Sequence, residues 1–299
     1  MRFSIPTSLT DRFVRIVVWL ALVANIGITI TGALVRLTAS GLGCPTWPLC
    51  TEDSLVNTPE MGIHGVIEFG NRLLTFVLLI VTVLVIVAMW RFRKERRDLW
   101  RFAIVLLLGI PLQAVVGGVS VWTNLNPYVV GFHFVLSIAM TVVATLLVIR
   151  VLDVDRVARF RDIPVLSWLI ATGTAVTLVV GILTTGSGPH AGDADAPRNG
   201  LNSELLQHFH SWPAYVTIAL VAFAWIRASG NRRRWLGIAI LSFGCQAILG
   251  IVQSRMGLPV VLVALHVALA MVTTAVVTTA IYRSVMSGSI ATATNSAVK

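Results

Sequence analysis

Apolar residues fill most of this chain in runs too long for a buried core helix, and polar residues collect in the short segments between them. Runs near 15–35, 72–90, 102–121, 129–149, 164–183, 206–226, 235–253 and 260–282 are each long enough to cross about 30 Å of hydrocarbon. An open strand in lipid would leave its backbone N–H and C=O groups unpaired, so the runs predict eight helices. Two intervening segments, about 36–63 and 184–205, are long and rich in Gly, Pro and Thr.

The pattern is duplicated. Gln113 to His133 recurs without a gap as Gln246 to His266, so that Gln113-Ala114 matches Gln246-Ala247, Gly117 matches Gly250 and His133 matches His266. A second likeness joins the helix end at Gly32–Gly41 to that at Gly181–Gly188. Four helices per half keep both halves in one orientation, related by an axis along the membrane normal. The expected fold is an all-α membrane protein of eight transmembrane helices in two pseudo-symmetric four-helix bundles, residues 1–150 and 151–299, with a small, polar, unstructured tail at about 285–299.

Composition excludes a soluble domain, since 56% of residues are hydrophobic, 12% are charged and mean hydropathy is +0.85. The net charge of +10 is concentrated at Arg2, Arg12 and Arg15, Arg91 to Arg101, Arg150 to Arg161, Arg227 to Arg234 and Arg283. Threading eight spans puts all of these on one side, which the positive-inside rule makes cytoplasmic. The reading is a multi-pass protein of the cell membrane with both termini cytoplasmic. Short basic loops between spans account for the charge without a nucleic-acid partner.

Candidate chemistry lies at the opposite, outer side. His64, His133, His208, His210 and His266 fall in the outer turns of even-numbered spans, and an imidazole at membrane depth needs a partner or a metal. Two such helices per half suit the two axial positions of a haem, whereas zinc would need third and fourth ligands that do not cluster in the sequence. On helix 2, Glu68 lies about 40° from His64 and Asn71 about 20° from it on the other side, so the three share a face. Glu68 reads either as a functional carboxylate or as a salt-bridge partner of Arg72, one turn on. In the second half Gln207 and His210 stand where Glu68 and Asn71 stand in the first. Cys44 and Cys50 share an outer loop, in a compartment that permits a disulfide, and would be either a staple or a redox pair. Cys245 reads as a small core residue.

Three segments resemble the haem A synthase family: Gly32 to Cys50, Ile67-Glu68-Phe69-Gly70-Asn71-Arg72, and Thr185 to Asp193. The likeness runs over about residues 12–283, and the first and third segments are specific. It implies oxidation of the C8 methyl of haem O to a formyl group, by successive hydroxylations and loss of water, for terminal oxidase assembly. The N-terminal bundle would hold the substrate haem, and the C-terminal bundle a haem b between His210 and His266, with His208 the lesser candidate. Glu68 would be the catalytic group and Cys44–Cys50 the loop pair. The family pattern Glu-x-x-His-Arg reads here as Glu68-x-x-Asn71-Arg72. The substrate iron would therefore be held by His64 and His133, or by His133 alone beside Asn71. Implied partners are the lipid bilayer, a haem O synthase, and an electron donor or acceptor. Alternatives of other classes are a bis-histidine membrane cytochrome and a proton-coupled transporter.

Overall fold

The computed structural model describes residues 8–153 and 163–296, with side chains as far as Ser284. The order is α1 (Arg12–Leu37), a 3-10 turn at Pro59–Met61, α2 (Gly62–Trp90), α3 (Arg97–Trp122), α4 (Pro127–Leu152), α5 (Val165–Ser187), α6 (Ser203–Ile226), α7 (Gly230–Arg255) and α8 (Val260–Ser296). No strand occurs among the described residues. All eight helices are long and apolar enough to cross a membrane. The expected unstructured tail falls where α8 is described in backbone only and on residues 297–299, outside the described part.

Helix starts follow from local chemistry. Asp11, Asn126 and Asn202 each accept a backbone N–H of the first turn through their side chains, which removes one orphan donor at each start. Within the spans, Thr141, Thr145, Thr174 and Thr217 return their hydroxyls to the carbonyl four residues back. A hydroxyl in a lipid-facing bundle is thus satisfied by its own helix.

In the first half α1 packs on α2 and α4, and α3 on α2 and α4; in the second α5 packs on α6 and α8, and α7 on α6 and α8. Between halves, α4 meets α8, α1 meets α8 and α5 meets α4. This set of contacts is unchanged when the halves are exchanged, with α4 and α8 at the centre.

The two main apolar clusters occupy the same level. One gathers Val14, Val18, Val85, Met89, Leu99, Leu147 and Val151; the other gathers Ile170, Val221, Leu236, Phe243 and Val277. Both lie toward the helix ends that carry the basic loops. There Arg150 pairs with Asp98 at 2.9 Å and Arg283 pairs with Asp153. Tight apolar packing therefore ties each bundle together on the side away from the histidines. Cys245 departs from its sequence reading, for it is exposed on the outer face of α7. A cysteine is apolar enough for either environment, so composition could not decide its facing.

Candidate functional site

The second half brings two of the expected residues together. His210 of α6 and His266 of α8 face each other with ring centroids 6.3 Å apart. Two imidazoles on opposite sides of one metal, with bonds of about 2.0–2.1 Å, need nearly this separation. His210 Nδ1 lies 2.9 Å from the Thr177 carbonyl. A carbonyl can only accept, so Nδ1 carries the proton and Nε2 keeps its lone pair, the tautomer a metal-binding histidine requires. His266 Nδ1 is buried without a hydrogen-bond partner, as is Gln246 Oε1. Glycine makes room for both rings. A Cβ at Gly181 would come 2.7 Å from His210 Cε1, and one at Gly250 would come 3.3 Å from His266 Cε1. His208 points elsewhere, lying exposed beside Trp212.

The first half repeats part of this arrangement. A Cβ at Gly117 would lie 3.4 Å from His133 Cε1, almost the spacing of the Gly250–His266 pair. The Gln113 amide lies 3.2 Å from His133 Nδ1, while Gln246 donates to the His266 carbonyl at 3.2 Å. A Cβ at Gly32, the counterpart of Gly181, would lie 3.9 Å from the side-chain nitrogen of Asn71, the counterpart of His210. Thr31 donates to Asn71 Oδ1 at 2.7 Å, which holds that amide against α1. His64 sits exposed at the start of α2, its Nδ1 2.9 Å from Ser40 Oγ. Among the described residues no ring contact joins His64 to His133.

Glu68 is 6% exposed and makes the salt bridge that its spacing to Arg72 allows. Arg72 donates to Glu68 Oε1 from Nη2 at 2.6 Å and from Nε at 3.2 Å. The Cys44 N–H donates to Glu68 Oε2 at 2.6 Å. The remaining Arg72 donors reach the carbonyls of Cys44, Thr46 and Leu49. This pair therefore clamps the loop closed by the Cys44–Cys50 disulfide. On the loop's other side Trp47 seats over Gly118 of α3, where a Cβ would strike its ring, and the Trp122 indole donates to the Trp47 carbonyl. Glu68 thus lies buried under a loop lid at the N-terminal end of α2.

Arg36 carries an unforeseen connection, because it joins the two most distinctive sequence segments. Its Nε donates to the His190 carbonyl at 2.7 Å and its Nη2 to the Thr185 carbonyl at 2.9 Å, and nearby Gly41 N–H donates to the Gly192 carbonyl at 2.8 Å. The segment Thr185–Asp193 of one half therefore lies across the end of α1 of the other. Spacing could not reveal partners 149 and 154 positions away. An apolar cavity of about 350 Å³ between α4, α5 and α8 is separate from these groups. It borders Val142, which lies nine residues and about 180° around α4 from His133.

Residues 15–281 match the model of the cytochrome oxidase assembly protein family (COX15-CtaA). A heme A synthase of Staphylococcus epidermidis is 28% identical over 235 residues, covering 71% of this chain and 75% of that protein. Heme A synthases of Listeria welshimeri and Listeria monocytogenes are each 31% identical over 146 residues, 48% of this chain and 48% of theirs. The chain thus spans about half the length of these Listeria relatives. The family match takes in the facing histidines, the clamped loop and all eight membrane-spanning helices, so the chain is a multi-pass membrane protein and belongs to the cytochrome oxidase assembly protein family.

Proposed function

We propose that the protein is a haem A synthase, oxidising the C8 methyl of haem O to the formyl group of haem A. The name its relatives carry, heme A synthase, supports the reading, and the facing pair His210–His266 carries it. A haem b held between these two residues would supply one-electron redox chemistry. The fit rests on the ring separation, on the Nε2 lone pair left to His210 by Thr177, and on the glycines that leave both rings space.

In this reading residues 1–150 form the substrate bundle and residues 151–299 the cofactor bundle. His133, at the position His266 holds in the second half, is the ligand for the substrate iron. His64 is the second candidate; if its Nδ1–H donates to Ser40 Oγ, its Nε2 keeps a lone pair. Asn71 is tied to Thr31 and leaves the substrate more loosely held than the cofactor, as a molecule that must depart requires. Glu68 would accept and return protons as the methyl group is oxidised, with the Arg72 guanidinium beside it as its ion-pair partner. The lid over Glu68 excludes water, which strengthens these electrostatic interactions. Conversion of a methyl to a formyl group with oxygen from water releases four protons and four electrons, hence the need for both a proton group and an electron acceptor. Both termini would lie in the cytoplasm and the site on the outer side, where a haem O synthase in the same bilayer could deliver the substrate.

Pigment extraction with mass determination, from cells making and cells lacking the protein, tests the reading. Haem A should appear only with the protein, and haem O should accumulate without it. Unchanged pigments would refute it.

A further inference from the structure

Arg36 and Arg198 form a cationic pair that the clamp on the second bundle's loop does not explain. Arg36 donates to the carbonyl of His190 and Arg198 to that of Pro189, consecutive residues of one loop. Binding consecutive carbonyls sets the two guanidinium groups at one short stretch of this loop. No ion pair to either is formed among the described residues, although Asp193 and Asp195 belong to the same loop. Each guanidinium has five N–H donors. Arg36 uses two, toward His190 and Thr185, and Arg198 uses two, toward Ala196 and Pro189. Backbone carbonyls thus fix both cations in place and leave them most of their donors and all of their charge.

Their height on the bundle points to what they meet. Arg36 lies one turn outward of Gly32, which faces Asn71, and its partner Thr185 lies one turn outward of Gly181, which faces His210. Four residues of helix rise about 6 Å. The pair therefore sits just outward of the level of the imidazoles, at the seam where the segment from one half crosses the other. From this placement we infer that Arg36 and Arg198 bind the propionate carboxylates of a haem held in the bundles. A carboxylate offers two oxygens that match the fork of a guanidinium, and such charge-assisted pairs are stronger than neutral hydrogen bonds. The inference rests on the proposed haem chemistry and adds to it the groups that choose which edge of the ring faces outward.

The test compares ferric protohaem with its dimethyl ester, in which both carboxylates are blocked and the ring is unchanged. Full-length protein from haem-depleted cells, in detergent, is titrated with each pigment and followed by its absorption. Wild type should prefer the free acid by about tenfold or more, the equivalent of one good ion pair. Arg198→Gln, an exposed change, and Arg36→Gln should each reduce this preference while leaving the affinity for the ester unchanged. Arg36→Gln also loosens the seam, so Arg198→Gln supplies the reading that is independent of folding. Equal affinity of wild type for acid and ester, as expected if a lipid phosphate occupied the pair, would overturn the assignment. So would an undiminished preference in Arg198→Gln. Uptake of neither pigment would sink the haem reading itself, and this site with it.

Discussion

Replacing Glu68 by Gln separates its anchoring role from its chemistry. The carboxylate holds Arg72 through one contact of 2.6 Å and one of 3.2 Å, and accepts the Cys44 N–H at 2.6 Å. Gln keeps the shape and one acceptor but presents an amide N–H₂ to a donor and removes the counter-charge of a guanidinium that is only 21% exposed. Breaking a buried pair costs about 3–5 kcal/mol. The lower end applies here, because Arg72 retains the carbonyls of Cys44, Thr46 and Leu49. A loss of about 3 kcal/mol at 2–4 °C for each corresponds to a melting temperature lowered by roughly 6–12 °C. Glu68→Ala should fall further, since the Cys44 N–H is then unpaired as well. The double variant Glu68→Gln/Arg72→Gln removes the uncompensated cation and should recover much of the melting temperature, yet still make no haem A. Thermal unfolding in detergent and pigment extraction read the two effects separately. A single variant that melts with wild type would refute the clamp. A Glu68→Gln protein with unimpaired haem A output would refute the proton role, and a double variant that recovers both properties would reduce Glu68 to an anchor.

His210→Ala or His266→Ala should abolish a low-spin b-type spectrum that survives His64→Ala and His133→Ala; retention of that spectrum and haem content in His266→Ala would show that the cofactor site lies elsewhere. Gly181→Ala should push the His210 ring off the Thr177 carbonyl and lower haem content several-fold, whereas Gly32→Ala, facing Asn71 with more space, should have little effect on the same spectrum. Equal behaviour of the two glycine variants would contradict the fitted pocket. A thiol reagent should label Cys44 and Cys50 only after reduction. Cys44→Ser should cost about 2 kcal/mol for a loop this short, and a loss of product much larger than that destabilisation would favour a redox pair over a staple.

Much of this architecture was legible along the chain. The apolar runs specified eight helices because lipid supplies no partner for a backbone group, so length and hydropathy alone decide which segments span. Duplication of Gln113–His133 as Gln246–His266 indicated which residues share an environment, and Gly117 and Gly250 do sit against their respective histidines in the same way. Helical periodicity could also offer Arg72 to Glu68, since neighbours one turn apart share a face whatever the tertiary fold. Only the tertiary structure decided what lies across from each face. It set Cys245 outward, brought His210 to His266 but left His64 beside Ser40, and closed the disulfide loop over Glu68. It laid Thr185–Asp193 of one half on Arg36 of the other. Periodicity describes one helix at a time, whereas these contacts depend on how helices rotate and pair, and in lipid every helix face is apolar enough for several pairings. Packing of small residues, caps and buried polar partners between distant segments selects among them.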